Sequence, residues 1–372
     1  MPARPLLTGI AALILGAGVT WNVSNVGAVA DPLAEAYGTS LAVIGLFTTA
    51  LFLTHLLAQL PGGRGADRVG ARNIGLVAVA AVLAGNAICL AAPEPAVAIA
   101  GRLVVGIGSG AGFVAGAEYA RFASTTPLLQ GLYGGATMAG GGLAIAVVPF
   151  LEDGMGWRAP YWSALVIAFA VGLVLALSPR DPRLGRPRAA ILADRHLLRL
   201  SVVQTATFGL SVVAANWVVS LLTRHGADRQ TAATLGALLL LGGIVTRPLG
   251  GLIVRREPQL TQATVTVGLA ATALGTLVLA LPVPLAVLGL AAAVAGLAAG
   301  LPFAAVFSRA QRLRPDAPGA AVAFVNLWAV LAILVLVPLV GLSFSLPGEG
   351  RIGFAALAVG SAASVAVVRR SF

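Results

Sequence analysis

Two arginines stand inside otherwise apolar runs: Arg102, in Arg102-Leu103-Val104-Val105-Gly106, and Arg247, in Thr246-Arg247-Pro248-Leu249-Gly250-Gly251. A guanidinium at such depth is costly unless a partner or a watery cavity receives it, so each is a functional candidate. Positive charge in a low-dielectric cavity attracts anions. Acids are missing from the same depth: no Asp or Glu lies mid-run, Glu118 stands near the end of one run and Asp31 at the end of another. The expected substrate is therefore a small anion or carboxylate, held by Arg247 and Arg102. The competing reading is structural, with each arginine snorkelling or binding backbone carbonyls.

Other chemistries find no support. His55, His196 and His225 are far apart, and nothing near them has metal-ligand spacing. Gly106-Ile107-Gly108-Ser109-Gly110-Ala111-Gly112 imitates a dinucleotide fingerprint, but it has no preceding strand and no acid about 20 residues on. Close helix packing explains it better. The single Cys89 implies neither disulfide nor metal site. No enzyme and no cofactor is expected.

The elements that must position these residues follow from composition. The 372 residues are 58% hydrophobic and only 10% charged, and apolar runs of about 20 residues recur. That pattern predicts membrane-spanning helices. The net charge of +11 comes from 24 basic residues, all arginine, placed in short loops between runs. The positive-inside rule accounts for them, so nucleic acid is not an expected partner.

Twelve spans are expected: one from Leu6, then Leu41–Leu60, Asn73–Ala92, Ala96–Ala117, Gly131–Leu151, Ala159–Leu177, Leu200–Leu222, Thr231–Val254, Leu260–Leu281, Pro284–Phe307, Ala317–Phe344 and Ile352–Val368. The first resembles a signal peptide, but it is long and carries Thr20, Trp21, Asn22, Ser24 and Asn25, so it reads as a span. With both termini in the cytoplasm, 18 arginines fall inside and four outside, which sets the orientation in a plasma (inner) membrane. Matches recur at a shared offset of 188 to 190 residues: Gly62 with Gly250, Tyr37-Gly38 with His225-Gly226, Gly131 with Gly319, Gly110 and Phe113 with Gly300 and Phe303. They predict an all-α membrane protein of 12 transmembrane helices in two pseudo-symmetric six-helix bundles, 1–178 and 200–372, joined by a cytoplasmic linker over 179–199. A monomer in the lipid bilayer is expected.

Between the second and third runs lies Gly62-Gly63-Arg64-Gly65-Ala66-Asp67-Arg68-Val69-Gly70-Ala71-Arg72, read as a charged, glycine-rich hinge. Its charges must reach water or buried partners, and Asp67 can pair with an arginine or accept from free N–H groups at a helix N-terminus. The stretch resembles the loop between helices 2 and 3 of major facilitator superfamily transporters, G-x-L-A-D-R-x-G-R-R. Gly63, Asp67, Arg68, Gly70 and Arg72 match, whereas Gly65 replaces Leu and Ala71 replaces Arg. The competing reading is a plain turn.

The resemblance implies a secondary transporter working by alternating access, with Gly63, Asp67, Arg68, Gly70 and Arg72 as gating residues. It also implies that spans 1, 4, 7 and 10 line the cavity. Trp21, Asn22 and Asn25 on span 1, and Gln204, Thr207, Ser211, Asn216 and Trp217 on span 7, then become candidate substrate contacts. Inter-helix hydrogen bonds are the alternative for each. Asn326 on span 11 is a further candidate. Arg102 resembles the span 4 arginine of the superfamily's R-x-x-x-G motif.

A narrower likeness, from Asn216-Trp217 through Leu222 and then Thr246 to Gly251, is to nitrate/nitrite porters and cyanate-type transporters. There, arginines on spans 2 and 8 grip the anion. Arg247 corresponds to the span 8 arginine, but Gln59 stands at the span 2 position, which argues against nitrate. Span 5 is rich in glycine, and loosely resembles an antiporter motif without its Gly-Pro pair. Two rivals remain: a proton-coupled exporter of drug-like compounds, titrating through His55, Glu118 or Asp31, and a non-transporting membrane sensor on the same fold.

Overall fold

The computed structural model describes residues 3–182, 194–368 and 371–372. Among these no strand occurs, as hydrocarbon demands of a chain that must satisfy its own backbone. The spanning helices are α1 (Ala3–Ser24), α2 (Leu41–Val69), α3 (Ala71–Cys89), α4 (Pro95–Ala123), α5 (Pro127–Met155), α6 (Ala159–Leu177), α7 (Arg195–Arg224), α8 (Arg229–Arg256), α9 (Thr261–Leu279), α10 (Leu285–Leu313), α11 (Pro318–Leu342) and α12 (Arg351–Val368). The apolar stretch Pro127–Leu177 is 51 residues long. As one helix it would run about 76 Å, far more than a bilayer, so it must cross twice. It breaks at Gly156, whose φ of +55° falls in the left-handed region. Among the described residues, twelve crossings result. Large apolar side chains face outward along them: Phe150 is 81% exposed and Phe169 69%, as expected of a lipid-facing belt.

Helix starts follow local chemistry. Ser40 accepts from the Val43 N–H, Asp194 from His196 and Leu197, and Asp228 from Thr231. Pro95, Pro127 and Pro318 open α4, α5 and α11, where a missing N–H does no harm. Two helices are irregular. Within α7, Thr205–Gly209 forms a π turn. Within α10, the α-helix stops at Gly300 and resumes at Phe303 around Leu301 and Pro302.

The expected hinge requires correction. Most of it is helical: α2 runs on through Pro61 and the glycines to Val69, and the turn is the single residue Gly70, with φ +96°. Glycine lowers helix propensity by only about 1 kcal/mol, too little to stop a helix that packs well on both sides.

The chain forms two compact units. Unit 1 comprises 1–125, 136–190 and 314–323; unit 2 comprises 126–135, 191–313 and 324–372. In unit 1, α4 packs against α1, α2 and α3, and α3 against α6. In unit 2, α10 packs against α8 and α9, and α9 against α12, the same arrangement one repeat later. Glycine contacts recur at the same offset. A Cβ built on Gly62 would lie 2.7 Å from the Ala111 Cα, and one on Gly250 would collide with the Leu301 backbone. Residues 195–199 of the expected linker are helical, and 183–193 lie outside the described residues.

Gly62→Leu should therefore destabilise the protein by about 1–3 kcal/mol, the usual range for overpacking. Gly154→Ala, where an added Cβ meets nothing within 4 Å, should stay within about 1 kcal/mol of the parent. Thermal unfolding of the two purified variants checks the contrast.

Candidate functional site

The Asp67 carboxylate is 1% exposed and lies at the start of α11. Its two oxygens accept from the Gly319 N–H (2.9 Å) and the Ala320 N–H (3.0 Å). A helix start leaves N–H groups without partners and carries partial positive charge, so a carboxylate suits it on both counts. Of the two partners open to Asp67 in the sequence, the helix N-terminus is the one observed. Gly63 permits the approach: its Cβ, if present, would be 2.5 Å from the Gly319 carbonyl oxygen. Glu118 pairs with Arg121 at 2.5 Å, and Arg121 lies within electrostatic reach of Asp67. Arg68 is exposed. The Arg72 guanidinium donates to the carbonyls of Leu175 (2.8 Å) and Ala176 (2.6 Å), at the end of α6.

Arg102 is fully buried. Its guanidinium donates to the Asn22 carbonyl (2.5 Å), the Asn25 Oδ1 (3.3 Å) and the Phe47 carbonyl (3.4 Å). Asn25 in turn donates to the Pro160 carbonyl, and Asn22 accepts from the Asn86 amide at 2.9 Å. Arg102, Asn22 and Asn25 thus form one network, which ties α4 to α1, α2, α3 and α6. Trp21 donates to Ser163.

Arg247 has different company. Its guanidinium carbon lies 4.3 Å from the Phe303 ring centroid and 5.5 Å from that of Phe208, and Nη1 donates to the Gly134 carbonyl at 3.1 Å. Aromatic faces attract a cation without neutralising it. Both rings come from irregular backbone, Phe208 from the π turn of α7 and Phe303 from the restart of α10. Gln204 donates to Asn326 at 3.1 Å, both buried. Trp217 donates to the Val337 carbonyl, and Asn216 is exposed and bonds back to Val212 in its own helix. Buried His55 places Nδ1 3.0 Å from Ser109 Oγ. Asp31 lies in a short helix, Ala30–Ala36, and its side chain is outside the described residues.

Sequence reasoning missed Asp181, Asn86 and Phe208. Asp181 Oδ2 accepts from the Ala71 N–H at 2.5 Å and Oδ1 from the Arg72 N–H at 3.0 Å. The available signal was that Asp181 is an isolated acid among the arginines that follow α6.

The sequence matches the Major Facilitator Superfamily profile across residues 10–337. The chain belongs to the major facilitator superfamily. This superfamily transporter is 25% identical over 248 residues to the cyanate transport protein CynX of Escherichia coli (strain K12), covering 62% of each chain. It is 25% identical over 284 residues to the gallate transporter of Pseudomonas putida, covering 64% of this chain and 63% of that one. Each match thus spans less than two thirds of the relative's own length. The fold is that of the proton:xylose symporter XylE, with TM-score 0.80, 14% identity and coverage of 99% and 96% of the two chains. The human organic anion transporter MFSD10 gives TM-score 0.76, 18% identity and coverage of 99% and 100%. At these identities the likeness to solved structures is one of fold.

Arg102→Leu should lower thermal stability by about 1–3 kcal/mol, because it removes a charged donor that three oxygens, of Asn22, Asn25 and Phe47, share. Detergent-solubilised melting curves read the effect, and an unshifted midpoint would remove Arg102 from the network's centre.

Proposed function

We propose that this transporter carries a small organic or inorganic anion by alternating access, and that Arg247 grips it. The observation that carries this reading is the buried Arg247 guanidinium, seated on Phe303 and Phe208 at two breaks in helix regularity. Every one of the 13 acidic residues lies near or beyond a span end, so positive charge prevails at that depth. The names of the cyanate and gallate relatives, both anion carriers, point the same way. Gln204 and Asn326, hydrogen-bonded to each other, are proposed to complete the site. Arg102 serves the fold of the first half through its network, with Asn22 and Asn25. The two halves, 1–178 and 200–372, are proposed to rock about the site with both termini in the cytoplasm, as the 18-to-4 arginine bias favours.

The Asp67 cap is proposed as the gate. When the cytoplasmic side opens, the α11 start must leave the carboxylate, and it must return when that side closes. Proton coupling would draw on His55, held by Ser109, or Glu118, held by Arg121.

Uptake of cyanate and of gallate into vesicles, with and without a pH gradient, tests the anion reading. Arg247→Gln should reduce uptake at least about tenfold, the scale of a lost charged hydrogen bond. Arg247→Lys should recover only part, since lysine lacks the planar fork. Unchanged anion uptake by Arg247→Gln at equal protein level would sink the assignment; resistance to cationic drugs in its place would favour the exporter. Asp67→Asn should lower the maximal rate several-fold with KM within about twofold, the pattern of a lost conformational contact. A normal rate with normal insertion would refute the gate.

A further inference from the structure

We propose that Asp181 is a positioning residue for the gate: it fixes the pivot between α2 and α3, and so aims the Asp67 carboxylate at α11. The inference rests on the reading of Asp67 as a gate. Asp67 stands in the last turn of α2, three residues before the pivot at Gly70. Gly70 has φ +96°, a conformation that other residues avoid, and no hydrogen bond of α3 itself reaches the N–H groups that follow it. Asp181 supplies what is missing. Its two oxygens take the Ala71 and Arg72 N–H groups, and a Cβ built on Gly70 would sit 3.1 Å from Oδ1. The carboxylate also faces the positive end of α3.

The exchange is reciprocal. The Arg72 side chain returns to the carbonyls of Leu175 and Ala176, so the start of α3 and the end of α6 cap each other. The segment carrying Asp181 is itself pinned, since the Tyr119 hydroxyl donates to the Pro179 carbonyl at 2.5 Å. Arg121 lies within electrostatic reach of Asp67, Asp181 and Glu118, which places both aspartates in one charged cluster. Six residues, Asp67 to Arg72, are therefore held from two sides, by α11 through Asp67 and by the segment after α6 through Asp181. The first contact must break in each transport cycle. The second has no such need, and serves as the fixed side of the pivot.

The test uses the full chain and needs no substrate. Ala66→Cys places a reporter at a site 2% exposed; a Cβ built on Gly319 would lie 3.4 Å from the Ala66 Cβ. Cys89, buried and the single native cysteine, serves as internal control for general loosening. Labelling by a membrane-impermeant maleimide is followed in membrane vesicles open on both faces, with the labelled residue mapped by mass spectrometry. Asp67→Ala should raise the labelling rate at the reporter at least about fivefold. Asp181→Ala should raise it to within about twofold of that value, Asp181→Asn should fall between, and the double variant should be no faster than Asp67→Ala alone. Cys89 should stay unlabelled throughout. A parental rate in Asp181→Ala while Asp67→Ala is fast overturns the proposal, as do additive rates in the double variant or parallel labelling of Cys89. A parental rate in Asp67→Ala overturns the gate reading itself. Should Asp181→Ala not accumulate, Asp181→Asn decides on the same criteria.

Discussion

A carboxylate at the start of a helix is the contact around which the proposed transport cycle is built. Asp67 meets two backbone N–H groups at Gly319 and Ala320, more than 250 residues further along the chain. Helix starts must find acceptors, and in a chain with so few acids the choice of acceptor is itself specific. The glycine at position 63 matters here too: it removes the side chain that would keep the two backbones apart.

The two buried arginines show how context divides identical chemistry. Arg102 is enclosed by carbonyl and amide oxygens from residues 22, 25 and 47, so its hydrogen bonds serve the packing of α1, α2 and α4. Arg247 rests on the ring faces of Phe303 and Phe208 and donates to the Gly134 carbonyl. Removing water from either arginine is expensive, and the two are compensated differently, one by oxygen acceptors and the other mainly by ring faces. The irregular turns of α7 and α10 are what deliver Phe208 and Phe303 to it, in keeping with the tendency of π turns to mark working sites.

Much of this was legible in the sequence, for identifiable reasons. Apolar runs of span length gave the helices, since hydrocarbon leaves few alternatives. The common offset between Gly62 and Gly250 marked real equivalence: both sit where α4 or its repeat counterpart α10 leaves no room for a Cβ. Asp67 was singled out with two possible partners, of which the helix start is the one observed. What escaped was what depends on distant pairing or on small backbone departures. Asp181 is 110 residues from Ala71, in a stretch whose arginines read as linker. The helical course of α2 through Gly62, Gly63 and Gly65 was hidden by local propensity, which packing overrides. The π turn at Thr205–Gly209 has no composition that announces it. Pro302 could have flagged the break in α10, because a proline cannot donate to the helix ladder.

The central claim is that the two helix ends joined at Asp67 part and rejoin as the protein works. Pulsed electron paramagnetic resonance between spin labels at two exposed positions, Arg68 at the end of α2 and Pro315 just before α11, measures this directly. The account predicts two distance populations in the parent protein, with the longer one enriched by Asp67→Ala. A single narrow distance, the same in the parent and in Asp67→Ala, would contradict it.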